Sequence, residues 1–243
     1  MKSPGLHWIS PSDPPDAFPD IDRALAEPAG LLAAGGDLSE ERLIHAYRHG
    51  IFPWFDEGQP ILWWSPDPRC VLEPAAFHVS RRLRRNLRGA GFHVTFNRSF
   101  ESVVQGCAAP RPAQHGTWIT PDMALAYGRL HRHGWAHSIE VRVDGALVGG
   151  LYGIAIGRVF FGESMYSDAD DASKAALLSL CRILDAHAFA LVDCQVVSQH
   201  LLTLGATLMP RTRFRRTLDG ACEPATAFDA WPENALDVAE LLA

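Results

Sequence analysis

The stretch of residues 159–197, VFFGESMYSDADDASKAALLSLCRILDAHAFALVDCQVV, decides the fold. Its pattern predicts a strand, an acidic turn, a helix and a second strand. The helix is expected over Ala172–Ala186, because apolar side chains recur there three and four residues apart, as on a one-sided helix. Asp170 and Asp171 precede this helix and are expected to cap it, since a carboxylate accepts hydrogen bonds from the free backbone N–H groups of a first turn.

The second strand, predicted over residues 190–197, carries polar side chains in an apolar run. Alternation places Asp193 and Gln195 on one face and Cys194 on the other. One interpretation is a satisfied polar pair at a strand end. The other is an acid/base pair, with Glu163 on the preceding strand as a third polar group, and both interpretations stay open at this point. Cys194 is interpreted as a small hydrophobe of the core, because an activated thiol needs exposure beside positive charge.

The composition is that of an ordinary globular protein. The chain has 243 residues, of which 47% are hydrophobic and 21% are charged, enough for one large or two modest domains. The sequence shows neither a long apolar run nor a basic-then-apolar leader, so we expect a cytoplasmic protein without a membrane segment. Five cysteines without a CxxC pair predict neither a disulfide framework nor a zinc site. His133 and His137 are separated by Gly134, which ends a helix, so no metal pair is expected there.

Arginine is concentrated in two segments of an otherwise acidic chain. The formal charge of −6 argues against a protein that binds nucleic acid non-specifically over its whole surface. The two clusters are Arg81, Arg82, Arg84, Arg85 and Arg88, and Arg211, Arg213, Arg215 and Arg216. Such a cluster forms either a local phosphate-binding face or a solvated helix face with ion pairs.

The remaining patterns predict an α+β fold with a mainly antiparallel sheet. Tight-turn signals at Asp144-Gly145 and Gly157-Arg158 join three strands into a meander, which the helix Ala172–Ala186 crosses. The glycine-rich run GGLYGIAIG (149–157) lies inside this meander, which favours close backbone approach over a phosphate cradle. The segment SPDPR (65–69) is predicted as a hinge between a small aromatic-rich N-terminal domain, 1–67, and a larger second domain, 68–243.

The order of meander, helix and strand resembles that of GNAT-type acyl-CoA N-acyltransferases. Those enzymes hold the cofactor pyrophosphate at the N-terminus of the central helix. In this chain the corresponding turn is SDADDAS (167–173), whose carboxylates repel a pyrophosphate. An acyl-CoA donor is therefore disfavoured, and a non-catalytic RNA-binding module is a further alternative.

A set of motifs in consistent order indicates a more specific resemblance. They are GGDLS (35–39), GIFPWF (50–55), WWSPDPR (63–69), GTWIT (116–120), HSIEV (137–141), VGGLYG (148–153), GESMYS (162–167) and DCQ (193–195). Together they resemble the leucyl/phenylalanyl-tRNA–protein transferase family, over about residues 18–218. The resemblance implies a small N-terminal domain on a GNAT-like acyltransferase domain. It also implies transfer of Leu or Phe from Leu-tRNA or Phe-tRNA to proteins with an N-terminal Arg or Lys, which marks them for N-end-rule degradation. No metal or organic cofactor is implied, and we expect a monomer.

The resemblance also assigns substrate-binding residues. It implies that Trp54 and Trp118 stack on the terminal adenine of the tRNA. It implies that Leu151, Phe160 and Met165 line an apolar pocket for the aminoacyl side chain. The arginines expected along the acceptor stem are Arg81, Arg82, Arg84, Arg85 and Arg88.

The same resemblance implies that Asp193 and Gln195 are a catalytic pair, with Glu163 as a polar partner at the acceptor. The hypothesis is that Asp193 polarises Gln195, which orients the attacking amine.

Overall fold

A small sheet precedes a large one along the chain. The computed structural model describes residues 5–110 and 117–242. The elements of the first sheet and its helix are β1 (His7–Ile9), β2 (Leu31–Gly35), α1 (Glu40–Arg48), β3 (Phe52–Pro53) and β4 (Leu62–Trp64). The strand order is β1-β2-β4-β3, with β1 parallel to β2 and the other neighbours antiparallel.

The second sheet has eight strands among the described residues, in the order β11-β5-β10-β9-β8-β7-β6-β12. The strands are β5 (Arg69–Leu72), β6 (His93–Phe96), β7 (Ala136–Val143), β8 (Ala146–Ile156), β9 (Val159–Ser167), β10 (Leu191–Gln195), β11 (Thr207–Met209) and β12 (Leu236–Asp237). The helices are α2 (Arg81–Gly89), α3 (Phe100–Ala108), α4 (Pro121–Arg132), α5 (Ala172–Ala186), α6 (Gln199–Thr203) and α7 (Arg211–Ala221).

The large sheet is mixed, which corrects the prediction of a mainly antiparallel sheet. The meander β7–β8–β9 is antiparallel, whereas β9 and β10 run parallel. The reason is the connection between them: α5 carries the chain back across the sheet, and a crossover of this kind brings the next strand in parallel to the one before. The prediction of an α+β fold is confirmed.

Local patterns predicted some elements better than others. The bounds of α5 match the predicted helix, and both turns of the meander are present. Asp171 stands at the N-cap of α5 but makes no capping hydrogen bond, because its carboxylate instead contacts Asn86 and Lys174. The second strand ends at Gln195 rather than Val197, so that prediction was too long.

Side chains of the large sheet alternate between two hydrophobic clusters. On one face Tyr152, Phe161 and Leu191 join a cluster that extends to Trp63 of the first sheet. On the other face Leu151, Phe160 and Val192 pack against α5 and α2. Because the first cluster spans both sheets, the chain packs them on a common core, and the domain boundary at residue 67 stays a prediction.

Candidate active site

The site lies where β9 and β10 separate. The two strands pair in parallel as far as Phe161 and Asp193. Just beyond this point each strand has a bulge against its other neighbour. The register of β9 against β8 shifts at Glu163, and that of β10 against β5 shifts at Cys194. A bulge ends regular pairing and redirects a side chain. The two strands therefore separate here, and the side chains of Glu163 and Gln195 face each other.

The carboxylate of Glu163 is held by three side-chain donors from different elements. Tyr47 on α1 donates its hydroxyl to Oε1 at 2.7 Å, and Tyr127 on α4 donates to Oε2 at 2.8 Å. Gln195 donates Nε2–H to Oε1 at 2.8 Å. The hydroxyls of Tyr47 and Tyr127 also contact each other. The structure therefore brings together two of the three predicted catalytic residues, Glu163 and Gln195.

Burial changes the pKa of all three titratable groups of this cluster, Glu163, Tyr47 and Tyr127. Burial raises the pKa of Glu163 to about 7, although the hydrogen bonds from Tyr47, Tyr127 and Gln195 lower it in part. Burial, reinforced by the nearby Glu163 charge, raises the pKa of Tyr47 and of Tyr127 well above the usual value. The two tyrosines thus stay protonated donors, while Glu163 exchanges a proton in the neutral range.

Asp193 occupies a different environment from Glu163. Its side chain is 0% exposed and faces Arg69, which is also 0% exposed. Arg69 donates Nε–H to Oδ1 at 2.8 Å and Nη2–H to Oδ2 at 2.7 Å. Oδ1 also accepts from the backbone N–H of Gln195 at 2.9 Å. The hydrogen bond that Asp193 makes to Gln195 is therefore to the backbone, whereas the side-chain amide of Gln195 bonds to Glu163.

A small apolar cavity of about 100 Å³ opens next to Glu163. It is lined by Leu151, Phe160 and Met165, the three residues predicted for an aminoacyl pocket, and their substrate role stays a prediction. Its other lining side chains include Leu177, Leu180, Val192, Cys194 and Leu201. An apolar cavity of roughly 150 Å³ takes up benzene, so this one suits a single branched or flat apolar group with some adjustment of its walls.

Comparison with known proteins identifies the family. The family model described as "Leucyl/phenylalanyl-tRNA protein transferase" matches residues 71–219, and the model for the N-terminal domain of this transferase matches residues 36–67. A leucyl/phenylalanyl-tRNA–protein transferase of Azotobacter vinelandii is 60% identical over 198 residues, covering 82% of this chain and 88% of the relative. This chain belongs to the leucyl/phenylalanyl-tRNA–protein transferase family.

A second relative and one solved structure complete the comparison. A protein of the same name from Chromohalobacter salexigens is 58% identical over 89% of this chain and 84% of its own length. The crystal structure of FemX aligns at a TM-score of 0.46 and 10% identity, over 70% of this chain and 66% of FemX. The predicted family membership is thus confirmed by sequence.

The two predicted stacking tryptophans lie close in sequence to the helices that carry the tyrosines of the site. Trp54 follows β3, just after α1, and is 42% exposed. Its ring lies 5.5 Å from that of Trp64, whose indole N–H donates to the Trp54 carbonyl at 2.7 Å. Trp118 precedes α4 and packs partly buried against the first hydrophobic cluster. Gly116 of the GTWIT motif lies outside the described residues. The adenine-binding role of this pair stays a prediction.

The predicted RNA-backbone arginines lie on α2, apart from the Glu163 cluster. Arg84 is partly buried and contacts the carbonyl of Leu242. The exposed members are Arg81, Arg82, Arg85 and Arg88. This helix is joined to the start of α5 by the hydrogen bond of Asn86 to Asp171, 2.8 Å. The structure therefore presents a basic face beside the acidic turn.

Three residues of the site had no predicted role, namely Tyr47, Tyr127 and Arg69. Arg69 entered only as the last residue of the predicted hinge SPDPR and of the motif WWSPDPR, and no motif marked the two tyrosines. A hydroxyl on a buried helix face was the available signal, since a buried tyrosine usually has a hydrogen-bond partner.

Two kinds of feature are absent from the part of the chain that the structure describes. Within residues 5–110 and 117–242, the structure contains no group of three or more His, Cys, Asp and Glu side chains that could hold a metal ion. Within those same ranges, none of the helices combines the length and apolar character needed to cross a membrane.

Proposed function

We propose that this protein transfers Leu or Phe from aminoacyl-tRNA to the N-terminal Arg or Lys of acceptor proteins and thereby marks them for degradation. The observation that carries the proposal is the apolar cavity that ends at the half-buried carboxylate of Glu163, whose pKa is about 7. An apolar cavity selects an apolar side chain, and the adjacent carboxylate accepts the proton that the attacking amine loses when the peptide bond forms. The family supplies the donor and acceptor classes.

The reaction is aminolysis of an ester. The α-amine of the acceptor attacks the carbonyl carbon that links the amino acid to the tRNA ribose, so a C–N bond forms and the C–O bond breaks. The amine proton passes to Glu163, which then delivers it to the departing ribose oxygen. Because an ester is already activated, placing the amine and the carbonyl together supplies much of the rate.

Within this mechanism the predicted catalytic residues take different roles. Glu163 accepts the proton, and Gln195 orients the carboxylate through its 2.8 Å hydrogen bond. Asp193 acts through the backbone of Gln195, because both its oxygens are engaged by Arg69. This replaces the hypothesis that Asp193 polarises the side chain of Gln195.

The substrate-binding roles follow the same geometry. Leu151, Phe160 and Met165 hold the aminoacyl side chain, and Trp54 and Trp118 hold the terminal adenine by stacking. The exposed carboxylates of Asp168 and Asp170 offer negative charge for the cationic acceptor residue. We further propose a GNAT-like domain over residues 68–243, a separate N-terminal domain over residues 1–67, a monomer and a cytoplasmic location.

Single-turnover transfer tests this function. Labelled Leu-tRNA and a peptide beginning with Arg should give labelled peptide, and acetyl-CoA with the same peptide should give none. The rate should rise with pH through about 7 as Glu163 ionises, since the carboxylate is the proton acceptor. Glu163→Gln should remove this step and slow transfer by roughly 100-fold at pH 8.

A matched control is Glu101→Gln, an exposed carboxyl on α3, which should keep the wild-type profile. Labelling from acetyl-CoA, or no labelling from Leu-tRNA, would overturn the proposed function. A normal pH profile in Glu163→Gln would remove Glu163 from the proton transfer.

A further inference from the structure

We propose that Arg69 is a positioning residue that fixes Tyr47 and Gln195, which are two of the three side chains that donate hydrogen bonds to Glu163. The inference rests on the proposed function in one respect, namely that Glu163 is the group that accepts the proton of the attacking amine. Its basis is a set of contacts outside the reaction itself: the guanidinium of Arg69 bridges the end of α1 and the end of β10.

The first contact holds Gln195. Arg69 engages both oxygens of Asp193, and Asp193 Oδ1 accepts the backbone N–H of Gln195. Gln195 has a φ of +60°, a left-handed conformation that side-chain-bearing residues rarely adopt. Such a conformation persists when neighbouring contacts impose it. The hydrogen bond from the Gln195 backbone to Asp193, which Arg69 fixes, is one such contact. The side-chain amide of Gln195 is thereby directed at Glu163.

The second contact holds the helix that carries Tyr47. Arg69 donates Nη1–H to the carbonyl of Gly50 at 3.1 Å, two residues after α1 ends. The backbone N–H of Gly50 in turn donates to the carbonyl of Tyr47 at 3.0 Å. Arg69 is therefore tied, through one residue, to the backbone of the tyrosine that bonds Glu163.

The guanidinium is also fixed in space by two rings. Its central carbon lies 4.7 Å from the ring centroid of Phe52 and 4.8 Å from that of Phe214. Aromatic faces favour a guanidinium in this position and restrict its movement. Lysine cannot reproduce the arrangement, because a single ammonium group has no planar fork to reach both Asp193 oxygens and the Gly50 carbonyl together.

The consequence should be visible at Glu163 itself. The titratable groups that face Glu163 are Tyr47 on α1, Tyr127 on α4, Tyr152 on β8 and Asp193 on β10. The hydrogen bonds from Tyr47 and Gln195 stabilise the charged carboxylate and lower its pKa. If Arg69 releases these donors, Glu163 should become harder to ionise, whereas general destabilisation of the fold would leave its titration unchanged.

The experiment is a pH titration of the Glu163 carboxyl carbon by ¹³C NMR in the full-length protein, assigned by its loss in Glu163→Gln. Arg69→Lys should move the midpoint upward by roughly one pH unit. The control is Arg211→Lys, which alters an arginine of similar burial that donates to the Ser65 carbonyl at 2.7 Å. It should leave the Glu163 titration at its wild-type midpoint. An unmoved midpoint in folded Arg69→Lys overturns the proposal.

A second variant and a transfer assay test the same role of Arg69. If Arg69→Lys does not fold, Arg69→Gln replaces it, because glutamine keeps one hydrogen bond to Asp193 but cannot also reach the Gly50 carbonyl. It should give the same upward shift, and an unmoved midpoint there overturns the proposal equally. In single-turnover transfer at pH 7, either variant should be slowed roughly tenfold, with an unchanged KM for Leu-tRNA and recovery at pH 9. If the wild-type protein transfers no Leu, the proposed function fails, and the titration alone decides the role of Arg69.

Discussion

At the scale of single residues, the buried pair of Arg69 and Asp193 gives a stability prediction that separates structure from catalysis. Asp193→Leu leaves an unpaired buried guanidinium and should lower the free energy of unfolding by roughly 3–5 kcal/mol. The double change Arg69→Met with Asp193→Leu removes both charges and should recover most of that loss. Urea unfolding of the three proteins measures both effects, and a double variant no more stable than the single one would contradict the ion-pair account. How far single residues could be predicted depends on how local their signal is. Glu163 and Gln195 were identified because polar side chains interrupt apolar strands, a signal within one segment. Tyr47 and Tyr127 were not, because their hydroxyls meet Glu163 across 116 and 36 positions of sequence, and a tyrosine on an apolar helix face also fits an ordinary core.

At the scale of elements, the glycines of β8 make possible the close packing of β9 beneath the cavity. A side chain at Gly153 would place its Cβ 2.3 Å from the carbonyl oxygen of Phe161 and 2.5 Å from the ring of Phe160. Gly153→Ala should therefore displace Phe160, cost roughly 1–3 kcal/mol and weaken selection of Leu. The comparison variant is Gly89→Ala at the end of α2, where an added Cβ meets nothing within 4 Å and stability should not fall. Urea unfolding and the KM for Leu-tRNA check the pair, and equal effects of the two changes would exclude the packing argument. The sequence predicted this close approach from glycines inside a strand pattern. It also predicted α5 from helical spacing. It could not predict the bulges at Glu163 and Cys194, because a bulge is a mismatch in the pairing of two strands and the sequence of one strand does not determine that pairing.

At the scale of the whole molecule, the distribution of charge matters more than its sum. The protein is formally −6, yet α2 exposes Arg81, Arg82, Arg85 and Arg88 on one helix. Composition alone left the two arginine clusters equivalent, and the family resemblance implied a tRNA role for the first. Packing now distinguishes them as well: on α7, Arg215 is paired with Asp20 and Arg211 is buried against Ser65. We therefore expect α2 to be the face that meets the tRNA phosphates. Replacing its four exposed arginines by Ala should weaken binding of Leu-tRNA and reduce the slope of log K against log salt by roughly 3, somewhat less than one unit for each phosphate that is no longer neutralised. The control replaces Arg213 and Arg216, the exposed arginines of α7 that lie outside its ion pairs with Asp20, and should leave the slope unchanged. Filter binding across a salt series measures both proteins. If the α7 variant showed the weaker salt dependence instead, the phosphate-binding face would lie on the other face of the large sheet, and α2 would be a solvated helix whose arginines serve only solubility.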